Sequence, residues 1–468
     1  MEIPKKTVNR SAYSELRRNT LIIAISNLGS KAIGFIIAPL YSYYLTTAEY
    51  GTADLIATTV SLLLPFICFD IFEACFRYSS DDNYDHSVVF SSSIFICFSE
   101  TTAILLIMLV TGLFVKLPVI VYICLISAII DAYYQVLAQY ARGRKKMISF
   151  AFSGVLHSLV LLGMNLVLMV MIGLGLKGYI ISFVASKALV VVFLFFNLRI
   201  WKVFKISHIQ KKFIREAIRF CLPLIPSASM WWIMNASDRY VISILVGVSA
   251  TGIYAVANKL PALLSVFENV FYQAWQTTAI NTLNREDRNQ VYSSVFLQYF
   301  EFLAFGVLGI LMILKPMIIY LFADAYHDAW LCSSVLVIGV MVHALAGNLG
   351  TIYTVFKKTG GAFKTSAIGA VTNIVTNIIF VNLYGYNAAA WTTLFGYLVV
   401  LMIRWQDIKE FVKIEIPKID TIITVLFILA QLILYYIPGM ASFIGRVAVF
   451  LAFSWMHRNL LIGLLRKR

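Results

Sequence analysis

The sequence predicts an all-α, polytopic membrane helix bundle of about fourteen helices, arranged as two pseudo-symmetric six-helix lobes around a central cavity, with two extra helices. Three observations support this fold class: an apolar composition, fourteen apolar stretches of spanning length, and an internal repeat. Of the 468 residues, 60% are hydrophobic and only 13% are charged. Soluble proteins carry roughly 25% charged residues. The apolar surface is therefore expected to face lipid.

Each apolar stretch is long enough to cross the hydrocarbon core of a bilayer, for which about 20 residues suffice. The stretches do not alternate polar and apolar residues, as the strands of an outer-membrane barrel would. The first one is too long for the core of a signal peptide and is expected to remain in the protein. The predicted spans are 19–45, 50–76, 87–114, 118–141, 147–173, 177–200, 220–247, 250–280, 289–314, 328–356, 362–382, 386–408, 419–437 and 440–464.

The basic residues are distributed very unevenly between the two sides of the predicted bundle. With fourteen spans, both termini lie on one side, where 30 lysines and arginines fall, against three on the other. The positive-inside rule then predicts a multi-pass membrane protein with both termini in the cytoplasm; the resemblance described below implies the bacterial cytoplasmic (inner) membrane. Because topology accounts for most of the net charge of +15, no nucleic-acid partner is expected.

Two segments read as copies of one helix–turn–helix unit: Pro39–Gly51 and Tyr240–Gly252, offset by 201 positions. In membrane proteins such repeats are typical of transporters with two lobes around a cavity. The charge distribution places both turns on the periplasmic face, where they are expected to occupy equivalent positions at the edge of an outward-open cavity. The predicted organisation is an N-terminal lobe (1–200), an amphipathic cytoplasmic linker (201–219), a C-terminal lobe (220–411) and two extra helices (412–468). The linker is expected either to lie on the inner leaflet or to be a plain loop.

Charged side chains within spans cost roughly 3 kcal/mol on insertion scales and usually face a cavity or a partner. For most of the cations no acidic residue lies three or four positions away in the same span, which favours a shared aqueous cavity for a phosphate or diphosphate. Arg77 is different, because Asp70 and Glu73 lie on its predicted helical face and an ion pair remains an alternative. The predicted cationic set is Lys31, Arg77, Lys187, Arg239 and Lys259.

Carboxylates and aromatic residues within spans suggest two further roles. Acids in a low-dielectric cavity can exchange protons or bind sodium, and the candidates for ion coupling are Asp70, Glu73, Asp131, Glu268 and Glu301. Asp131 and Glu301 are expected to be the deepest and least paired. Aromatic faces near amides suit sugar rings, although packing is an alternative; the candidates are Trp231, Trp232, Trp275 and Gln273. No pattern points to a catalytic residue, a metal site or a cofactor, so transport is expected rather than catalysis.

Several motifs resemble those of the Wzx-type polysaccharide flippases, within the multidrug/oligosaccharidyl-lipid/polysaccharide exporter superfamily. They are Tyr44–Gly51 together with Lys31, Phe76–Tyr78, Asp238–Tyr240 and Lys315–Tyr326. The resemblance implies a V-shaped, two-lobed bundle that alternates between inward-open and outward-open states. It also implies a role in substrate binding for the cations Lys31, Arg77, Arg239 and Lys259. Many such flippases have twelve spans, and the two extra spans resemble the fourteen-span branches that include the lipid II flippases.

The function expected from the residues and the resemblance is translocation of an undecaprenyl-diphosphate-linked oligosaccharide to the periplasmic leaflet. The unit would serve O-antigen (lipopolysaccharide), capsule or exopolysaccharide synthesis. Expected partners are the lipid-linked oligosaccharide, membrane lipids, a polysaccharide polymerase and a chain-length regulator. The alternatives are a multidrug exporter, a lipid II-type flippase, and a membrane polymerase or ligase. The short predicted outer loops disfavour the enzyme, and the abundance of deep cations disfavours an exporter of organic cations.

Overall fold

The computed structural model describes residues 10–81, 83–356 and 358–458, and every regular element within them is helical. Apolar runs form helices in these segments because a helix satisfies its own backbone hydrogen bonds without water. The α-helices are α1 (Arg10–Tyr44), α2 (Thr47–Ile67), α3 (Ile71–Ser79), α4 (His86–Phe114), α5 (Val119–Gly143), α6 (Met147–Asn165), α7 (Gly175–Asn197), α8 (Ile200–Val203), α9 (Lys211–Cys221), α10 (Leu224–Leu245), α11 (Val248–Ala257), α12 (Pro261–Thr282), α13 (Arg288–Leu321), α14 (Ala329–Val355), α15 (Thr359–Tyr384), α16 (Asn387–Asp407), α17 (Lys418–Tyr436) and α18 (Met440–Met456).

Each of the fourteen predicted spans overlaps one of these helices or a consecutive pair; residues 459–464, the end of the last span, lie outside the described residues. Within the described residues, ten helices are long and apolar enough to cross a bilayer, or eleven if one bent pair counts as a single span. The predicted all-α membrane bundle is therefore confirmed. The fifth span differs in detail, because α6 continues into a π-helical turn at Leu166–Met171.

The second predicted span is broken into α2 and α3. Phe69 and Asp70 adopt the left-handed backbone conformation, with φ values of 46° and 51°, which no helix can accommodate. Asp70 consequently precedes the first residue of α3 and does not share a helical face with Arg77. The alternative in which Arg77 pairs with Asp70 or Glu73 is not the arrangement found; among the described residues its ion-pair partner is Asp81, at 4.0 Å.

The eighth predicted span is also discontinuous. α11 and α12 meet at an angle of 53° across a short break. Pro261 occupies the first position of α12, where its missing N–H costs no hydrogen bond. The break leaves Asn258 and Lys259 outside regular helix, so their side chains project from a kink within the membrane-spanning region.

The described residues form two compact units, one containing residues 10–37 and 56–229 and the other containing 38–55 and 230–458. In the first, α5 packs on α3 and α7, and α6 packs on α7. In the second, α14 is the central helix, packed against α12, α13 and α16, while α17 and α18 pack on α13. Residues 38–55, the end of α1 and the start of α2, group with the second unit although they are distant from it in sequence.

The two repeated turns are in direct contact within the second unit. α2 begins with a capping box, in which the Thr46 backbone N–H donates to Glu49 (2.9 Å) and the Glu49 N–H donates to the Thr46 hydroxyl (3.2 Å). A Cβ atom added at Gly51 would overlap the Val248 carbonyl oxygen, and one at Gly252 would overlap that of Thr47. Only glycine permits this backbone approach. The two turns that were expected at the edge of an outward-open cavity are thus packed against each other through their backbones.

The predicted linker is a short α8 followed by the amphipathic α9, which packs on α3 and α4 of the first unit. Phe213, Ala217 and Cys221 are buried, whereas the lysines and arginines of α9 are exposed. The apolar face assigned to the inner leaflet is therefore covered by protein. Tyr84 strengthens this contact by donating to Glu216 (2.5 Å). That hydrogen bond raises the pKa of Tyr84 to about 12, because losing the proton would leave two anions side by side.

Candidate functional site

The second unit contains a polar cavity of about 220 Å³ between α10, α11, α12, α14 and α16. Arg239 of α10 and Lys259 of the α11–α12 break both line this cavity. The Nε atom of Arg239 lies 2.6 Å from Oδ2 of Asp54, and both side chains are largely buried, with exposures of 15% and 13%. Nη1 of Arg239 donates to the backbone oxygen of Asn235 (3.1 Å). Arg239 is thus held by a carboxylate contributed from the start of α2.

Asp238 lines the same cavity, next to Arg239 in the chain. It is buried, and its Oδ2 atom accepts hydrogen bonds from the Tyr254 hydroxyl (2.5 Å) and the Thr393 hydroxyl (3.0 Å). Thr393 in turn accepts from the side-chain amide of Asn373 (3.1 Å). This network ties α10 to α11, α15 and α16 and fixes the cavity wall.

Lys259 projects from the helix break with its Nζ atom 5.8 Å from the centroid of the Tyr50 ring. The aromatic face attracts the ammonium group at this distance. Because Tyr50 belongs to the same segment as Asp54, residues 38–55 supply a contact for each cation of the cavity. Asp54 pairs with Arg239, and Asp238 lines the same cavity; the linear order of the residues did not reveal the first of these contacts.

A second polar pocket, also of about 220 Å³, adjoins the first and shares four lining residues with it. It contains Glu268 of α12 and His343 of α14, whose Oε1 and Nδ1 atoms lie 2.8 Å apart. Both side chains are mostly buried, with exposures of 17% for the histidine and 15% for the glutamate. Sequence reasoning singled out Glu268 but not His343, because α12 and α14 are far apart in the chain.

In the first unit, Lys187 of α7 pairs with Asp131 of α5, with Nζ and Oδ2 2.5 Å apart and side-chain exposures of 14% and 9%. His157 of α6 lies within electrostatic reach of both charges. The expectation that Asp131 is among the least paired carboxylates is wrong. Since this pair joins two helices inside one unit, it stabilises that unit.

We expect Asp131→Asn to lower the free energy of unfolding by about 3–5 kcal/mol, because it leaves the Lys187 ammonium buried without its counter-charge. The double variant Asp131→Leu with Lys187→Met should recover most of this loss. Thermal unfolding of the purified protein measures both effects. If the Asp131→Asn variant had the same melting temperature as the wild type, this result would contradict a stabilising role for the pair.

The other predicted cations differ from these. Lys31 of α1 is exposed and makes no ion pair with any residue that the structure describes. Arg77 of α3 is also exposed, with a side-chain exposure of 60%. Lys31 and Arg77 belong to the first unit and Arg239 and Lys259 to the second, and within the second unit the structure brings Arg239 and Lys259 to one cavity.

The remaining predicted carboxylates lie in three different environments. Asp70 is buried at the start of α3, where its backbone oxygen accepts from the Cys221 thiol at 3.3 Å. Glu73 is half-buried one turn later. Glu301 of α13 lies 3.6 Å from His457, which follows α18, so the expectation that it is among the least paired is also wrong. These three are not brought to the Arg239 cavity.

The aromatic candidates for sugar contact lie in different environments, and their role stays a prediction. Trp275 is 3% exposed, and its indole N–H donates to the Asn348 backbone oxygen (3.3 Å), so in this conformation it offers no face to a ligand. Trp232 is half-buried, with its ring 5.6 Å from that of Tyr240. The side chains of Trp231 and Gln273 lie outside the described residues.

Asp54 and His343 are the residues of the site that sequence reasoning missed. Asp54 carried a readable signal, since it is an acid inside a predicted span only three positions after Gly51. Arg404 was counted as a cytoplasmic basic residue but is 2% exposed, donating to Thr365, Ser366 and the Ala346 carbonyl. Within the described residues, no group of three His, Cys, Asp or Glu side chains is placed to hold a metal ion.

Comparison with solved structures places this architecture among known transporters. The lipid II flippase MurJ in an inward closed conformation is similar over 94% of this chain and 100% of that chain, with a TM-score of 0.70 and 15% identity. An inward-facing multidrug resistance transporter of the MATE family is similar over 84% of this chain and 98% of that chain (TM-score 0.67, 15% identity). A Pyrococcus furiosus transporter of the same MOP superfamily is described as having a binding pocket of reversed polarity. It is similar over 88% of this chain and 96% of that chain (TM-score 0.61, 13% identity).

The fold, with its broken helices and its buried charges around a polar cavity, is that of a multi-pass membrane protein and is similar to the fold of solved transporters of the MOP superfamily. Residues 16–276, more than half of the chain, match the family described as polysaccharide biosynthesis protein. The chain belongs to that family, and the resemblance to polysaccharide exporter-type flippases is confirmed. No curated protein matches the chain significantly.

Proposed function

We propose that this transporter moves an undecaprenyl-diphosphate-linked oligosaccharide repeat unit from the cytoplasmic to the periplasmic leaflet of the bacterial inner membrane by alternating access. The observation that carries the proposal is the polar cavity where Arg239 and Lys259 converge at a broken helix. Arginine and lysine are the side chains that bind phosphate groups. Membership of a polysaccharide biosynthesis family supports a saccharide carried on a lipid.

The further details of the proposal come from the sequence. The excess of basic residues on one side supports cytoplasmic termini. A polysaccharide polymerase and a chain-length regulator are the proposed partners, because they would act on the translocated unit. The exposed cations Lys31 and Arg77 are proposed to meet the diphosphate in the first unit, and Lys187 to act through its pair with Asp131.

Two alternatives remain. A lipid II-type flippase is favoured by the likeness to MurJ, which extends over 94% of this chain, against 84% for the MATE structure. A multidrug exporter is favoured only by the shared fold. The decisive assay uses purified protein in liposomes, with fluorescent undecaprenyl-diphosphate oligosaccharide, fluorescent lipid II and an organic-cation dye as separate cargoes. Movement of the oligosaccharide lipid supports the proposal, and movement of only one of the other cargoes replaces it with the corresponding alternative.

Lys31→Ala is expected to reduce movement of the oligosaccharide lipid by about tenfold or more, the effect of losing one charge-assisted phosphate contact. Because Lys31 is exposed and makes no ion pair within the described residues, thermal unfolding should not change. The matched control is Lys116→Ala, another exposed lysine, on a predicted outer connection. Equal transport by both variants and the wild type would argue against a role for Lys31.

A further inference from the structure

The break between α11 and α12 receives a hydrogen bond from a third helix. The Ser333 hydroxyl of α14 donates to the backbone oxygen of Ala257, the last residue of α11, at 2.7 Å. Ser333 is completely buried, and the two residues are 76 positions apart in the chain. We propose that Ser333 is a positioning residue, which fixes the break so that Lys259 enters the cavity that it shares with Arg239. The inference rests on the proposed function, because it gives Ser333 a part in holding the anion site.

The Ala257 carbonyl needs a donor because α11 ends at this residue. The last four carbonyls of a helix have no partner within the helix. At this end of α11, the Tyr254 and Val256 oxygens accept from backbone N–H groups that follow them, at 3.2 and 3.0 Å. Four positions beyond Ala257 stands Pro261, which has no N–H to donate. The missing N–H costs α12 nothing, but it leaves the Ala257 carbonyl to a side chain.

The same arrangement occurs at the proline inside α13. Pro316 offers no N–H to the carbonyl of Met312, four positions earlier. Arg446 of α18 supplies a donor instead, with its Nη1 atom 3.3 Å from the Met312 oxygen and 3.2 Å from the Leu311 oxygen. Arg446 is only 4% exposed. At both prolines a buried side chain from a neighbouring helix completes the backbone, since lipid offers a carbonyl no donor.

Ser333 lies where α14 meets both the break and the cavity. Leu336, one turn further along α14, lines the cavity together with Lys259 of the break. A serine inside a helix can bond a carbonyl of its own preceding turn, and the next residue, Ser334, does so with the Leu331 oxygen at 3.5 Å. Ser333 bonds the break instead. The cavity wall formed by α14 is thereby joined to the backbone that carries Lys259.

The test measures the affinity of the purified full-length protein for inorganic diphosphate, together with its melting temperature. Ser333→Ala should lower both, because it leaves the buried Ala257 carbonyl without its donor. The affinity should fall by about threefold to tenfold, the equivalent of one hydrogen bond.

The matched control is Ser334→Ala. Ser334 is equally buried, but its hydroxyl contacts the Leu331 oxygen and the Tyr436 hydroxyl (2.8 Å), on the side of α14 that faces α17. This variant should lower the melting temperature and leave the affinity for diphosphate unchanged. An equal loss of affinity in the two variants would refute the positioning role, because affinity would then simply follow stability.

A second background tests the account of the carbonyl itself. Pro261→Ala restores a backbone N–H four positions after Ala257, so the carbonyl no longer depends on Ser333. In this background, Ser333→Ala should lower the melting temperature much less than it does in the wild type. Equal losses in both backgrounds would overturn the account.

The proposed function and the inference fail through different results. If Ser333→Ala is folded and binds diphosphate as tightly as the wild type, the positioning role is refuted while the proposed function stands. If the wild type does not bind diphosphate, the proposed function fails, and the inference fails with it.

Discussion

Gly51→Ala is expected to force α2 away from α11 and to lower the free energy of unfolding by about 1–3 kcal/mol or more. The added Cβ atom would overlap the Val248 carbonyl oxygen, a backbone atom that cannot turn aside as a side chain would. Gly252→Ala should have a similar effect through the Thr47 carbonyl oxygen. The double variant should cost less than the sum of the two, because both changes disrupt one contact. Thermal unfolding of the purified protein measures each of these effects.

The matched control for these variants is Gly34→Ala, a helical glycine of α1 whose added Cβ would meet no atom within 4 Å. It should leave the melting temperature unchanged or raise it slightly, since alanine is the better helix former. Across these glycine variants, the transport rate should fall as the free energy of unfolding falls, because residues 38–55 also position Asp54 and Tyr50 at the cavity. If Gly51→Ala has the same melting temperature as the wild type, the close backbone contact between Gly51 and Val248 does not exist in the membrane protein.

Loss of the Asp54–Arg239 ion pair is expected to produce the second large effect. Asp54→Asn removes the carboxylate that contacts a largely buried guanidinium, and Arg239→Gln leaves a buried carboxylate without the cation that it contacts. Each single variant should lower the free energy of unfolding by about 3–5 kcal/mol. The double variant should lose much less, because it removes both charges together.

The same variants separate a structural role of Arg239 from a role in binding. If Arg239 only ties α10 to α2, the double variant should regain transport along with stability. If Arg239 also contacts the diphosphate, the double variant should be stable, but its transport rate should be lower than that of the wild type by about tenfold or more. The single variant Asp54→Asn then gives a further test, because in its folded molecules Arg239 no longer pairs with Asp54 and can contact the anion. Full transport by a stable double variant would remove Arg239 from the proposed binding site.

The helices were predictable because a bilayer imposes a local rule, about 20 apolar residues for each span. The same rule could not show where a span breaks. Asp70, on the predicted face of Arg77, lies in a left-handed turn, and Lys259 projects from a kink. Both breaks depend on backbone conformations that hydropathy does not describe. α9 was predicted as amphipathic, but only its packing on α3 and α4 showed that protein covers its apolar face.

The sequence by itself determined the class of protein, the positions of its spans, the repeat of its two turns and the set of charges that lipid should not surround. Only the tertiary structure decided how those charges pair. Arg239 meets Asp54, 185 positions away, Lys187 meets Asp131, and Glu268 meets His343. Periodicity reports neighbours within one helix, three or four residues apart. A charge buried in a helix bundle is instead stabilised by whichever helix packs beside it, and that is a property of the folded chain.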